Sequence, residues 1–183
     1  MSRETLKRHY SLLKVGMSQP KQSIGNIQYS LYRSSYGMMV YIEGSNEPKD
    51  WKFNLMYFGL FFHIGYVVMA HRFKNVLKGY MQVTIVGHSF GAGIASILYW
   101  LLGKHCKEAV LFGCPPSYTW LNPLVPKRMT SYRVQGDLVT HANIVRPLFR
   151  QAVKMDKLPT QADGVADNHS VMSYLAALEE VIF

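Results

Sequence analysis

Gln82-Val83-Thr84-Ile85-Val86-Gly87-His88-Ser89-Phe90-Gly91-Ala92-Gly93 is the stretch on which the reading of the fold turns. Gln82 to Val86 has the length and composition of a short buried strand, and Ser89 to Leu102 that of a helix with small residues at its start. Gly-x-Ser-x-Gly joins them, leaving no residues for a loop. A serine on such a turn, at the carboxyl end of a strand, stands above the sheet edge in a strained backbone conformation. Gly87 and Gly91 remove the Cβ atoms that would collide there. The helix start directs the Phe90 N–H at a negative charge developing beside the serine. Gly91, Ala92, Gly93 and Ala95 allow the helix to pack closely on the sheet. The short pattern by itself is weak, because an ordinary serine in a tight turn also satisfies it. The flanking strand and helix make it specific. A phosphate-cradling loop is excluded, since position 92 is Ala and no Lys-Ser or Lys-Thr follows.

Working outward, Thr5 to Lys14 carries Leu6, Tyr10 and Leu13 on one stripe and is predicted helical. Ile27 to Arg33 and Met38 to Ile42 read as strands about a Ser34-Ser35-Tyr36-Gly37 turn. Glu43 to Lys49 reads as polar loop and Tyr66 to Lys78 as helix. Beyond the quoted stretch, Ala109 to Phe112 and Ser131 to Val134 read as strands. Asn143 to Met155 is predicted helical, with Pro147 starting or kinking it. Lys157 to Asn168 reads as polar loop and Val171 to Ile182 as a closing helix. Strands and helices alternate from residue 66 onward, which predicts a parallel or mixed sheet flanked by helices. A length of 183 residues with 49% apolar content predicts a single domain over 1–183, with an N-terminal helix at about 5–14 and a core at about 27–183.

Cys106 and Cys114 cannot build a disulfide framework, and a reducing compartment is expected. The N-terminus leads into no continuous apolar stretch of a secretory signal, because Lys14 and Gln19-Pro20-Lys21-Gln22 interrupt it. Phe53 to Ala70 lacks Asp, Glu, Lys and Arg and is as long as the shortest spanning helices. Asn54, Gly59, His63 and Gly65 interrupt its apolar character, so it reads as folded core, with a membrane-docking surface as the other reading. The expected location is intracellular, in the cytoplasm or at a membrane periphery.

The same segments resemble the class 3 lipase family, the α/β-hydrolases typified by fungal triacylglycerol lipases. The similarity runs in order from about Met38 to Leu178. Glu43-Gly44-Ser45 resembles the family's Arg-Gly-Ser/Thr oxyanion strand end, with Glu in place of Arg. Asp50-Trp51 with Asn54-Leu55, His63-Ile64-Gly65-Tyr66 and Val110-Leu111-Phe112-Gly113-Cys114-Pro115 resemble segments that follow in the family. The serine turn is the specific piece; the others are weak singly but collinear. The fold implied is α/β-hydrolase-like, a mixed and mostly parallel sheet flanked by helices, reduced in size, with little or no lid.

A serine hydroxyl needs an adjacent base and an orienting acid, in the chain order Ser, then Asp or Glu, then His. Of seven histidines, only His141 and His169 lie well beyond the serine and after a candidate acid. His169 follows a polar loop and opens the last helix, and the family resemblance places its base there, with Ser170 and Tyr174 echoing the C-terminal segment. Asp137 follows the Ser131–Val134 strand at a Gly-Asp turn, and Asp137-Leu138-Val139 matches the family's Asp-x-Val. Asp163 and Asp167 are rivals on the loop before His169, although a separate loop can better orient the far ring nitrogen. The expected catalytic set is Ser89, Asp137 and His169. The expected oxyanion donors are the N–H of Phe90 and, by the resemblance, Ser45. His88 reads as a structural hydrogen-bonding residue and His63 as a core histidine.

The reaction implied is hydrolysis of an acyl ester, of an acylglycerol or phospholipid. In the family, the neighbourhood of Phe53 to Phe62 supplies lid and acyl pocket, so an apolar groove is one reading of that run and plain core the other. A thioesterase, peptidase or acyltransferase would use the same serine turn, and a non-enzymatic binder could share the fold. The net charge of +9 attracts anions, and Arg146, Arg150, Lys154 and Lys157 make an anionic membrane surface a candidate partner. No nucleic-acid module signature is present. No grouping has zinc-ligand spacing, and neither a metal nor another cofactor is expected.

Overall fold

The structure, a computed structural model, describes residues 1–25, 27–35, 37–44, 64–119, 126–137, 139–141, 149–151, 153–160 and 165–183. The expected segments at Phe53 to Phe62, the oxyanion candidate Ser45, the core histidine His63 and the rival acid Asp163 lie outside the described residues, as does Arg146.

Helix α1 (Arg3–Ser18) is longer than its apolar stripe, because Ser2 caps it by accepting from the Thr5 N–H. Strands β1 (Gln22–Ile24), β2 (Ile27–Ser34) and β3 (Gly37–Ile42) follow. Then come α2 (Ile64–Val76), β4 (Val83–His88), α3 (Phe90–Leu102) and β5 (Cys106–Phe112). The remainder comprises β6 (Tyr118–Thr119), β7 (Met129–Val134), β8 (Phe149–Arg150), β9 (Met155–Leu158), α4 (Val165–Asn168) and α5 (Val171–Ile182).

Seven strands form one sheet in the order β1-β2-β3-β4-β5-β7-β9, and β6 pairs with β8 separately. β1, β2 and β3 are antiparallel neighbours, whereas β3, β4, β5, β7 and β9 pair in parallel. The parallel strands are covered on both faces, as their near-continuous apolar runs require. Side chains alternate: Val40, Ile42, Ile85, Ala109 and Leu111 face α2 and α3, while Met39, Tyr41, Val86, Val110 and Phe112 face α1 and α5. The sheet is therefore the middle layer between two helical ones. The carboxyl ends of β4, β5 and β7 emerge side by side, which is where an open parallel sheet assembles a site.

The structure corrects two expectations in the last third of the chain. The described end of the expected helix Asn143–Met155 is strand at Phe149–Arg150 and again from Met155. The expected loop Lys157–Asn168 begins inside β9 and ends in α4. For the residues from Met155 onward the reason is the place of β9. β9 is the outer strand of the sheet, held by register Ser131↔Met155 to Val134↔Leu158, and among Met155-Asp156-Lys157-Leu158 only Leu158 is buried. An edge strand pairs on one side only, so its sequence keeps the polar composition of a loop.

No helix among the described residues is long and apolar enough to cross a membrane. Residues 64–70 of the uncharged run belong to α2, where Tyr66 and Ala70 are core. Both cysteines are free and buried.

Candidate active site

Ser89 sits between β4 and α3 with φ 55° and ψ −125°, a left-handed backbone that a non-glycine residue adopts only where the surroundings hold it. Three contacts hold it. Its N–H donates to the Phe112 carbonyl at 2.9 Å, and its own carbonyl accepts from the N–H groups of Ala92 and Gly93. On the β3 side the packing leaves no space: a Cβ on Gly91 would lie 2.3 Å from the Ile42 carbonyl oxygen. The glycines of the turn thus serve the close approach inferred from the sequence.

His169 reaches the serine from the far end of the chain. Ser170 caps α5 by accepting from the Ser173 N–H at 3.1 Å, which fixes the backbone just before the helix. The His169 Nε2 lies 2.7 Å from the Ser89 Oγ, placed to accept its proton. The ring is accommodated because residue 113, after β5, is glycine with φ +61°. A Cβ there would meet the His169 Cε1 at 2.9 Å.

Asp137 completes the line. It follows β7 at a tight turn, its N–H donating to the Val134 carbonyl at 3.2 Å. Both carboxylate oxygens lie 2.9 Å from the His169 Nδ1. The Val139 N–H donates to Oδ1 at 2.9 Å, and the Tyr174 hydroxyl donates to Oδ2 at 2.5 Å. Burial pushes this carboxyl's pKa up, but the bonds from His169, Tyr174 and Val139 outweigh it, so the net shift is downward and the group is ionised. A carboxylate on Nδ1 fixes the tautomer with the proton there, leaving Nε2 unprotonated toward the Ser89 hydroxyl. Asp137 is fully buried, and Ser89 nearly so at 9% exposure.

Two neighbours complete the surroundings. His88 is held neutral, its pKa lowered to about 3 by burial and by the nearby His169. Its Nε2 lies 2.8 Å from the His169 carbonyl oxygen, so the neutral ring donates there and steadies the His169 backbone. This is the hydrogen-bonding place expected for it. Gly44 lies against the serine, since a Cβ on it would fall 2.7 Å from the Ser89 Cβ. The backbone leaving β3 therefore passes beside Ser89 immediately before position 45. Phe90 heads α3, where helical N–H groups point outward.

The three residues singled out as a catalytic set are gathered. Asp167 lies in α4, where its carbonyl accepts from the Ser170 N–H, and His141 ends a short 3-10 turn after Asp137. Sequence reasoning left Tyr174 without a role, although it had noted the residue, and it missed the spacing function of Gly44 and Gly113. Among the described residues no three metal-ligating side chains come together.

Neither a family model nor a curated protein matches the chain's sequence. Solved structures do match its shape. A fungal lipase superposes with a TM-score of 0.58 at 16% identity, over 80% of this chain and 66% of that one. A lipase from Yarrowia lipolytica gives 0.57 at 15% identity, over 77% and 76%. The Rhizomucor miehei lipase in complex with its propeptide gives 0.59 at 14%, over 88% and 69%. This chain thus spans just under two thirds of the first of these proteins and about 70 to 76% of the next two. The fold expected from the lipase resemblance is the fold observed: this chain is built on the α/β-hydrolase-like scaffold of the fungal lipases.

Proposed function

We propose that the protein is a serine ester hydrolase of lipase type, cleaving acyl esters through an acyl-enzyme intermediate. The observation that carries this reading is the unbroken line Ser89 Oγ, His169 Nε2, His169 Nδ1 and Asp137 carboxylate, with both links at 2.7 to 2.9 Å. In this reading Ser89 attacks the ester carbonyl while His169 takes its proton, and Asp137 stabilises the imidazolium. The Phe90 N–H faces the developing oxyanion, and Ser45, next to Gly44, is the proposed second donor. Collapse expels the alcohol, which leaves with the proton from His169. Water then adds to the acyl-enzyme by the same proton route and releases the acid. The neutral His88 adds no positive charge to oppose the imidazolium. The acyl group, as of an acylglycerol or phospholipid, is the proposed substrate class, by likeness to the lipases that share the fold.

A fluorophosphonate probe tests the nucleophile directly. We expect labelling at Ser89 by peptide mapping, none in Ser89→Ala, and a loss of about 10⁴-fold in hydrolysis of p-nitrophenyl esters for Ser89→Ala and for His169→Ala. A folded protein left unlabelled both in buffer and in detergent micelles overturns the reading.

A further inference from the structure

The amino ends of β5 and β7 meet helix α1 at the sheet edge opposite to Ser89. A cleft of about 340 Å³ opens there, lined by Arg8, Lys107, Lys127 and Arg128 together with Thr5 and Thr130. Four cationic side chains stand against one carboxylate, Glu108, which leaves the lining a net +3. Glu108 accepts from both terminal nitrogens of Arg8, at 2.5 Å each, so its charge is offset within the wall. Behind that pair, buried His9 is bonded to the Tyr132 hydroxyl at 2.7 Å. The Arg128 carbonyl accepts from the Ala109 N–H at 2.9 Å, which ties the segment carrying Lys127 and Arg128 to β5. The base of the cleft is therefore rigid, and the side chains of Lys127 and Arg128 stand exposed at its rim.

We propose that this cleft binds the phosphoryl group of a phosphate ester. Its volume lies in the range of small-molecule sites. A guanidinium, ammonium groups and threonine hydroxyls are the donors that recognise phosphate oxygens. Lys107 precedes Phe112, the β5 residue paired with His88, by five strand positions. The cleft is thus roughly 16 Å along the strand from the serine edge. A small ligand bound in it does not reach Ser89, so the site stands independently of the hydrolase reading.

The phosphoryl group can come from a soluble ester or from a lipid headgroup, and two probes separate them. Inorganic pyrophosphate is titrated calorimetrically into the whole chain, and vesicles of phosphatidylcholine with either phosphatidate or phosphatidylserine are used in co-sedimentation. Wild type is compared with Lys127→Ser/Arg128→Ser, with the single Lys127→Ser in case the double variant melts early, and with Lys74→Ser on the exposed face of α2. The expected result is binding of a phosphate probe that weakens at least tenfold in the double variant, in a graded way in the single one, and not in Lys74→Ser. Preference for phosphatidate over phosphatidylserine assigns the headgroup; pyrophosphate binding without that preference assigns the soluble ester. Absence of binding to both probes, or equal losses in Lys74→Ser, overturns the proposal.

Discussion

Asp137 is fully buried and yet ionised, because donors from three elements converge on its carboxylate: His169, the Val139 N–H and the Tyr174 hydroxyl. Tyr174 lies one turn into α5, so the helix that begins beside His169 also braces Asp137. Tyr174→Phe keeps the ring in the core and removes only that donor. We expect a loss of about 1.5–3 kcal/mol in stability, the range for a hydrogen bond to a charged group, with kcat lowered about tenfold and KM unchanged. Urea titration and initial rates on a soluble ester check both. Unchanged rates together with unchanged stability would mean that the carboxylate does not depend on the hydroxyl. At this scale the sequence was legible where chemistry restricts residue type. Ser89 lies in a motif, and Asp137 and His169 follow it in the order that the motif demands. Tyr174 was not legible as a brace, since a tyrosine in an amphipathic helix has the same pattern whether its hydroxyl meets a carboxylate or water.

Elements at the centre of the sheet were legible for the same kind of reason. β3, β4, β5 and β7 have neighbours on both edges and helices on their faces, and such strands must be apolar. β1 and β9 at the two ends carry mostly exposed side chains and escaped the reading. The central strands β4, β5 and β7 are the ones that carry the Ser89 end of the sheet, so those missed edge strands do not bear on where Ser89, Asp137 and His169 meet. Helix α1 shows how an element is seated by one small residue. Its Gly16 packs on the sheet where a Cβ would meet the Tyr41 Cβ at 2.8 Å. Gly16→Val is expected to push the helix off β3 and cost about 1–3 kcal/mol, the ordinary penalty of overpacking. That cost exceeds the few tenths gained in helix propensity. The midpoint of urea unfolding should fall with its slope unchanged. An unaltered midpoint would mean that α1 is not held at this contact.

Over the whole molecule, acid acts on three groups in one direction, His88 and Asp137 buried and Glu108 partly so. His88 is lowered to about 3 by burial and by His169. Glu108 is lowered to about 2, its bonds to His9 and Arg8 overcoming burial. Asp137 is lowered by its bonds to His169, Tyr174 and Val139, again against burial. Each has a folded pKa below its unfolded one, so below the unfolded value the unfolded chain binds more protons and stability falls with pH. The positive charge of the chain, already +9, rises further as carboxylates protonate and adds self-repulsion. The windows differ. The Glu108 contribution is complete above its unfolded value of 4.5 and is lost toward about 2. The His88 contribution is complete above 6.5 and is lost on the way down to about 3. Between pH 6.5 and 4.5 the loss among these three therefore belongs to His88, and amounts to about 2 kcal/mol by pH 5 at about 1.4 kcal/mol per pH unit. His88→Asn retains a donor for the His169 carbonyl but cannot titrate. Its stability, followed by urea unfolding from pH 8 to 3, should decline less than wild type from pH 6.5 downward, the two curves diverging until about pH 3. Parallel curves over the whole range would show that His88 takes up its proton inside the fold as readily as outside it, and that the neutral ring beside His169 is not what the packing enforces.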